Sequence, residues 1–263
     1  MRLGIVLALA AATALVSHNS NANELYITQS GDNLTLTVVQ QGENNQIKGI
    51  TTVSAPIIGN NNNLDINQGV AGNNLLELSV NGDNNDIVVG QEKAYSNGAW
   101  TDDTNSYGYH YAKADVTGDY NDVQIMQRNN NISSAGHASY VTINGGTNNV
   151  VTTLQTGNGS SNGHHSAVRI NSNDSGNIVD IFQNSDTADQ RLELSIYSNN
   201  NDIDIDQTGT ANQAYVLFSG SNAGGVDFTL SQNGGDTYGN IDTGSYATIS
   251  CGNINGCIVN VSQ

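Results

Sequence analysis

Four histidines, His110, His137, His164 and His165, are the side chains of this sequence best suited to hold a metal ion. They fall in or beside connections on one side of the repeat described below, where neighbouring repeats could bring His137 close to the His164 and His165 pair. A metal centre needs two or more imidazoles, often with a carboxylate, on a fixed frame. No ligand-spacing motif accompanies these four, so solvated loop histidines are the expected outcome, and neither a metal nor a cofactor is assigned. Asp65, Asp122, Asp180, Asp202, Asp204 and Asp206 invite a calcium reading, but the Gly-Gly-x-Gly-x-Asp turn of the calcium β-roll does not occur. These acids are expected to point outward from solvated strands, where charge discourages sideways sheet association. A polysaccharide lyase would want acids together with Arg or Lys in a groove, and the chain has only seven basic residues. Ice binding would want a regular Thr-x-Thr column, which Thr35, Thr37 and Thr152 do not form. No nucleophile, base and orienting group stand at a recognisable spacing, so no catalytic residue is expected and the chain is not expected to be an enzyme.

The elements that carry these residues repeat. In Asn201-Asp-Ile-Asp-Ile-Asp-Gln207, strict alternation gives a strand with Ile203 and Ile205 on one face and the three acids on the other. Asn201 and Gln207 share the isoleucine face. The same frame recurs from Asn23 to Gln29, Asn62 to Gln68, Asn85 to Gln91, Asn121 to Gln127, Asn149 to Gln155 and Asn177 to Gln183. Looser copies run from Val226 to Gln232 and from Cys257 to Gln263, while Asn45 to Thr51 keeps the Asn and lacks the Gln. Each copy is followed by a connection, a second alternating strand such as the one ending at Gln40, and a tight turn such as Gln41-Gly-Glu-Asn-Asn45.

Two such strands cannot bury their apolar faces alone, so the repeats must stack. The expected fold is all-β: a two-sided β-solenoid of stacked strand-turn-strand repeats, with short turns on one side and variable loops on the other. Residues 23–263 would form a single solenoid domain of about nine rungs. Inward Asn and Gln are accounted for by ladders, because amides stacked about 4.8 Å apart donate to one neighbour and accept from the other. The expected ladder comprises Asn23, Gln29, Gln40, Asn45, Asn62, Gln68, Asn85, Gln91, Asn121, Gln127, Asn149, Gln155, Asn177, Gln183, Asn201, Gln207, Gln232 and Gln263. Between Thr51 and Gln68 the spacing is too short for a regular rung and holds the chain's one proline, Pro56, so a bulge or broken rung is expected there.

Composition agrees with a thin core: 37% of residues are hydrophobic and 12% charged, both below the usual roughly 45–50% and 25% of globular domains. Residues 1–22 read as a secretory signal peptide, with Arg2, a short apolar run and Ser20-Asn-Ala22 as a cleavage site, too short to be a membrane span. The formal net charge is −17. Loss of the leader removes Arg2 and no acid, leaving a mature charge of −18 and no membrane span. That argues against nucleic acid or anionic lipid as partners. Cys251 and Cys257 flank the last turn and are expected to form a disulfide, as paired cysteines of exported chains usually do.

Read as Asn23-x5-Gln29-x4-Leu34-x5-Gln40, the first rung resembles the curlin repeat, Ser-x5-Gln-x4-Asn-x5-Gln, with Asn for Ser and Leu for Asn. The likeness is strong at residues 23–45 and continues through the Gln strand and its turn. At the places corresponding to Gln40 stand Val80, Val116, Ser172 and Ile196, so the second ladder becomes a mixed column. The resemblance implies a bacterial, secreted, extracellular or cell-surface fibre subunit of the curli type, in biofilm matrix or adhesion. It implies self-association into a homopolymer, with a curli-type nucleator and an outer-membrane secretion pore as partners. Uncapped terminal rungs would stack head to tail. The alternative is a monomeric adhesin or glycan-binding solenoid that presents Tyr95, Trp100, Tyr107 and Tyr109 on its longest loop.

Overall fold

The structure is a computed structural model that describes residues 4–6, 23–50, 55–69, 72–96, 99–102, 109–128, 136–144, 146–157, 164–169, 175–184, 190–195, 202–208, 213–217, 227–232, 237–242, 247–251 and 257–262. Among the described residues there is no helix, and the strands form two parallel sheets and one small hairpin. Alternation sets the faces, as expected: in the strand Asp202–Thr208, Ile203, Ile205 and Gln207 are buried while Asp204 is exposed.

Nine strands form the glutamine sheet, running from Thr35–Gln40 through Asn63–Gln68, Asp86–Gln91, Asp122–Gln127, Val150–Thr156, Ile178–Asn184, Asp202–Thr208 and Asp227–Gln232 to Ala247–Cys251. Every pair is parallel and in register, which sets like positions over one another: Gln127 lies opposite both Gln91 and Gln155. The facing sheet takes the alternate strands, among them Glu24–Ser30, Leu75–Asn81, Tyr111–Thr117, Ala138–Tyr140, His165–Ala167, Arg191–Ser195 and Cys257–Ser262. Chain order alternates between the sheets, so each rung contributes one strand to each. This is a two-sided β-solenoid. A further strand, Gly4–Val6, pairs in parallel with Glu24–Ser30, Gly4 opposite Tyr26.

The core between the sheets is one layer of Leu, Ile and Val from each side, including Leu64, Ile66, Leu76, Leu78, Ile87 and Ile125. It narrows in the middle rungs, where small residues, Ala112, Ala114, Ser139 and Ser166, are among the buried residues of the facing sheet. There the Ser139 and Thr153 hydroxyls meet across the core at 3.0 Å, which satisfies both groups.

The short corners run from the facing sheet to the glutamine sheet. Their glycines stack at φ of +122° (Gly31), +120° (Gly59), +134° (Gly82) and +113° (Gly118), a region that L residues rarely adopt. A Cβ on Gly82 would stand 2.0 Å from the Gly118 carbonyl oxygen. The long connections return on the other side, as the spacing predicts. The longest carries an antiparallel hairpin, Lys93–Ser96 with Ala99–Asp102, which lies beside the strands Asp86–Gln91 and Asp122–Gln127.

The irregular rung is a split strand. Gln46–Lys48 and Ala55–Ile58 share one level of the facing sheet, both between Glu24–Ser30 and Leu75–Asn81, and Pro56 lies opposite Thr28.

Register also corrects the frame at the N-terminal end. The strand ending in Gln29 belongs to the facing sheet, opposite Ile57, and the column above it continues with Val80. Gln40, not Gln29, heads the glutamine column. The cause is the split rung: its shortened spacing shifts the apparent repeat by half a rung, so that Asn23 and Gln29 imitate the glutamine strand while lying on the opposite sheet.

Candidate functional site

The feature that distinguishes this solenoid is a set of three polar columns buried along its edges. In the first, the Nε2 of each glutamine donates to the Oε1 of the next rung: Gln40 to Gln68 at 2.9 Å, Gln68 to Gln91 at 2.8 Å, Gln91 to Gln127 at 3.2 Å, Gln127 to Gln155 at 3.1 Å and Gln155 to Gln183 at 3.0 Å. The remaining amide hydrogen turns to carbonyls across the rung, as when Gln127 reaches the His137 and Tyr111 oxygens, both at 2.9 Å. Gln207 is fully buried in register with Gln183.

The second column is Asn62, Asn85, Asn121, Asn149 and Asn177, at the entry to the same strands. Here Nδ2 donates backwards, from Asn85 to Asn62 at 3.1 Å, Asn121 to Asn85 at 3.1 Å, Asn149 to Asn121 at 3.0 Å and Asn177 to Asn149 at 2.9 Å. The same Oδ1 atoms also accept the next rung's backbone N–H. Glutamine and asparagine columns therefore run with opposite polarity, and their amide dipoles oppose one another. Leu34 occupies the level that precedes Asn62, since Thr35 follows it and lies opposite Asn63.

The third column runs along the facing sheet: Asn23, Asn45, Asn74, His110, His137, His164 and Gln190. Each side chain accepts the backbone N–H of the next residue in the series. The distances are 2.9 Å for Asn45 on Asn23, 3.0 Å for Asn74 on Asn45, 3.0 Å for His110 on Asn74, 3.0 Å for His137 on His110, 2.9 Å for His164 on His137 and 3.2 Å for Gln190 on His164. The acceptor atom is Oδ1 in asparagine and Nδ1 in histidine, which stand at the same distance from the backbone. Histidine substitutes for asparagine because it presents a lone pair in the same place.

This overturns the expectation of solvated loop histidines: His110, His137 and His164 are at most 1% exposed. Their rings stack, with centroids 5.2 Å apart for His110 and His137 and 4.7 Å apart, at 2° between planes, for His137 and His164. A nitrogen that accepts carries no proton, so the proton is on Nε2. From there His137 donates to the Arg128 carbonyl and His164 to the Thr156 carbonyl, each at 2.8 Å. Both nitrogens of these two rings are engaged within the protein, which makes them rungs of a ladder and leaves no lone pair to coordinate a metal. Burial, then the neighbouring His110 and His164, hold His137 well below the usual imidazole range. His165, the fourth, instead faces outward against Tyr140, centroids 5.3 Å apart.

Of the expected ladder, Asn23 and Asn45 thus belong to the histidine column rather than to the asparagine column. Gln29 belongs to no glutamine column: its Nε2 turns to the Gly31 carbonyl at 3.0 Å. Asn201 and Gln263 lie outside the described residues, and for Gln232 only the backbone is described, opposite Cys251. The cysteine side chains also lie outside what is described. Their backbone register puts Cys251 at the end of the glutamine column and Cys257 beside Thr237 on the facing sheet. Asn74, His110, His137, His164 and Gln190 were not expected in a ladder. A signal was present: Asn74, His110 and Gln190 each stand 11 residues before the asparagine that opens a glutamine strand, as Asn23 stands before Leu34.

The outward acids behave as expected of a strand face. Asp122 lies on the outer face opposite Asp86; partial desolvation of its carboxyl, then the Asp86 charge, raises its pKa. Among the described residues no group of three or more His, Cys, Asp or Glu side chains is placed to hold a metal ion.

Residues 199–234 match the curlin associated repeat family. That segment spans the strands Asp202–Thr208, Gln213–Leu217 and Asp227–Gln232, with Gln207 and Gln232 at corresponding strand ends. No curated protein and no solved structure matches the chain.

Proposed function

We propose that this chain is a structural subunit of a curli-like extracellular amyloid fibre, without enzymatic activity, exported by way of its N-terminal leader. The observation that carries the reading is the continuity of the ladders: parallel strands in register, with amide columns that any further rung of the same kind would extend. Parallel pairing of the strands in both sheets makes the stacking directional. A copy added in the same orientation continues the parallel pairing and offers Oε1 to one column and Nδ2 to the other, so growth is head to tail, and contacts of that kind that do not close build filaments. The strands Thr35–Gln40 and Ala247–Cys251 stand at the two ends of the described glutamine sheet, and their outward edges are the surfaces on which such stacking begins. The curlin repeat at residues 199–234 supports the same assignment. A curli-type nucleator and an outer-membrane secretion pore are the partners this role requires, and biofilm matrix or adhesion is its setting.

The net charge of −18 that remains without residues 1–22 opposes association, and salt screens such repulsion over about 8–10 Å near physiological strength. Thioflavin fluorescence and fibre diffraction on the purified chain freed of residues 1–22 test the proposal. Cross-β spacings near 4.8 and 10 Å, with growth that accelerates as salt rises, are expected. A chain that stays monomeric at high concentration and moderate salt overturns it and favours an adhesin that uses its long loops.

A further inference from the structure

We propose that the His110, His137 and His164 stack is a pH-sensitive element, which keeps the middle rungs closed at neutral pH and opens them under mildly acidic conditions. The geometry admits only one protonation state. Nδ1 of His110 and of His137 each receives a backbone N–H from the next rung, at 3.0 and 2.9 Å. A proton on that nitrogen would put two donors face to face and strand a buried N–H. It would also create a cation whose neighbouring ring lies 4.7 Å away and, once protonated, repels it.

The surroundings offer little to offset that charge. From the glutamine sheet the column meets Gln127, Gln155 and Gln183, which are uncharged and direct Nε2 to carbonyls at or beside it: His137, Ala138 and His165. The connections contribute Glu92 and Arg128. Glu92 is buried near the Asn74 end and accepts from Asn74 Nδ2 and the Gly72 N–H, so it is already engaged. Arg128 contributes its carbonyl, which accepts from His137 Nε2. On the facing sheet itself, His165, Arg191 and Glu193 lie on the outer surface, and Tyr109 precedes His110 on the outside of the corner.

The sign follows from linkage. The three imidazoles are neutral in the closed solenoid, whereas an unfolded histidine takes up a proton near pH 6.5. Burial and the neighbouring histidines lower the folded value for His137. The stack's contribution is therefore fully present above about pH 6.5 and is lost as pH falls below it. Each histidine lowers the closing equilibrium constant by up to about tenfold per pH unit in that range, and three by up to about a thousandfold. Protonation of acids that repel one another on the strand face, such as Asp122 opposite Asp86, acts in the opposite sense, since it relieves repulsion.

Hydrogen exchange on the purified chain between pH 7 and 5, corrected for intrinsic rates, tests this, with a variant carrying His110→Asn, His137→Asn and His164→Asn. Asparagine already fills this column at Asn45 and Asn74 and accepts the same N–H, so the variant retains the ladder. The expected result is that the wild type loses protection in residues 111–117 and 165–167 by a hundredfold or more over that range, and the variant by less than tenfold. Identical profiles overturn the proposal. Imidazole nitrogen NMR gives a second, independent reading on the unmutated chain: the Nε2-H tautomer should persist in the closed form throughout. A buried histidine that titrates near pH 6.5 without loss of protection overturns the proposal even if the triple variant does not fold.

Discussion

The glutamine column and the histidine column lie side by side through the middle rungs, and they solve the same problem in different ways. A glutamine amide has a donor and an acceptor on separate atoms, so each side chain bonds to the one above and the one below. The column is then closed upon itself and indifferent to pH. An imidazole has one donor and one acceptor, and in His137 and His164 both face backbone: Nδ1 takes an N–H from the next rung and Nε2 reaches a carbonyl at the start of the return connection. The histidine column ties side chains to main chain, stacks its rings, and depends on their staying neutral. What separates the two columns is that an amide offers two N–H hydrogens and a weakly basic oxygen, whereas a neutral imidazole offers one N–H and one basic nitrogen, and that nitrogen makes the histidine column sensitive to acid.

Removal of a glutamine should do the most damage. Gln127→Ala leaves the Gln91 amide without its acceptor and the Gln155 oxygen without its donor, at about 1–3 kcal/mol for each stranded group. Chemical denaturation of the variant should show the loss undiminished between pH 7 and 5, because no titrating group is involved. His137→Leu comes next. It strands the backbone N–H of His164, a loss of about 1–3 kcal/mol at pH 7. In contrast to Gln127→Ala, this loss should shrink as pH falls, since the wild type weakens while the variant has one histidine fewer to protonate. A penalty that does not change with pH would mean that the two columns do not differ as described.

At the far end of the glutamine column stands Cys251, opposite Gln232. A disulfide to Cys257 would replace the amide ladder with a covalent closure of the last corner. Thiol titration of the intact protein should find no free sulfhydryl, and Cys251→Ser with Cys257→Ser should cost about 2 kcal/mol by loop-closure reasoning. Reactive thiols in the intact chain would contradict it. The smallest effect is expected from Asp204→Asn on the exposed face of the same sheet, within about 0.5 kcal/mol by thermal denaturation. A loss comparable to that of Gln127→Ala would mean the faces are reversed.

Much of this was legible in the chain, for a physical reason. A strand alternates with period two, and stacking brings like residues together, so Asn121 and Gln127 recurring as Asn149 and Gln155 is enough to imply both the inward face and the ladder. The stacked corners are legible too, because Gly82 and Gly118 stand where only glycine fits. The sequence could not say which sheet the first strand joins. A split strand at residues 46–58 changes the spacing without changing the alternation, and only pairing reveals that Gln29 lies opposite Ile57 while Gln40 lies opposite Gln68. Nor could it place the histidines. By composition they resemble asparagine no more than any polar loop residue does, and their equivalence exists only as geometry: Nδ1 stands where Oδ1 would, over a backbone N–H supplied by a rung 27 residues further along. Local pattern decides which way a side chain points. Which backbone group it meets is decided by the register of strands far apart in the chain, and that is a property of the stack.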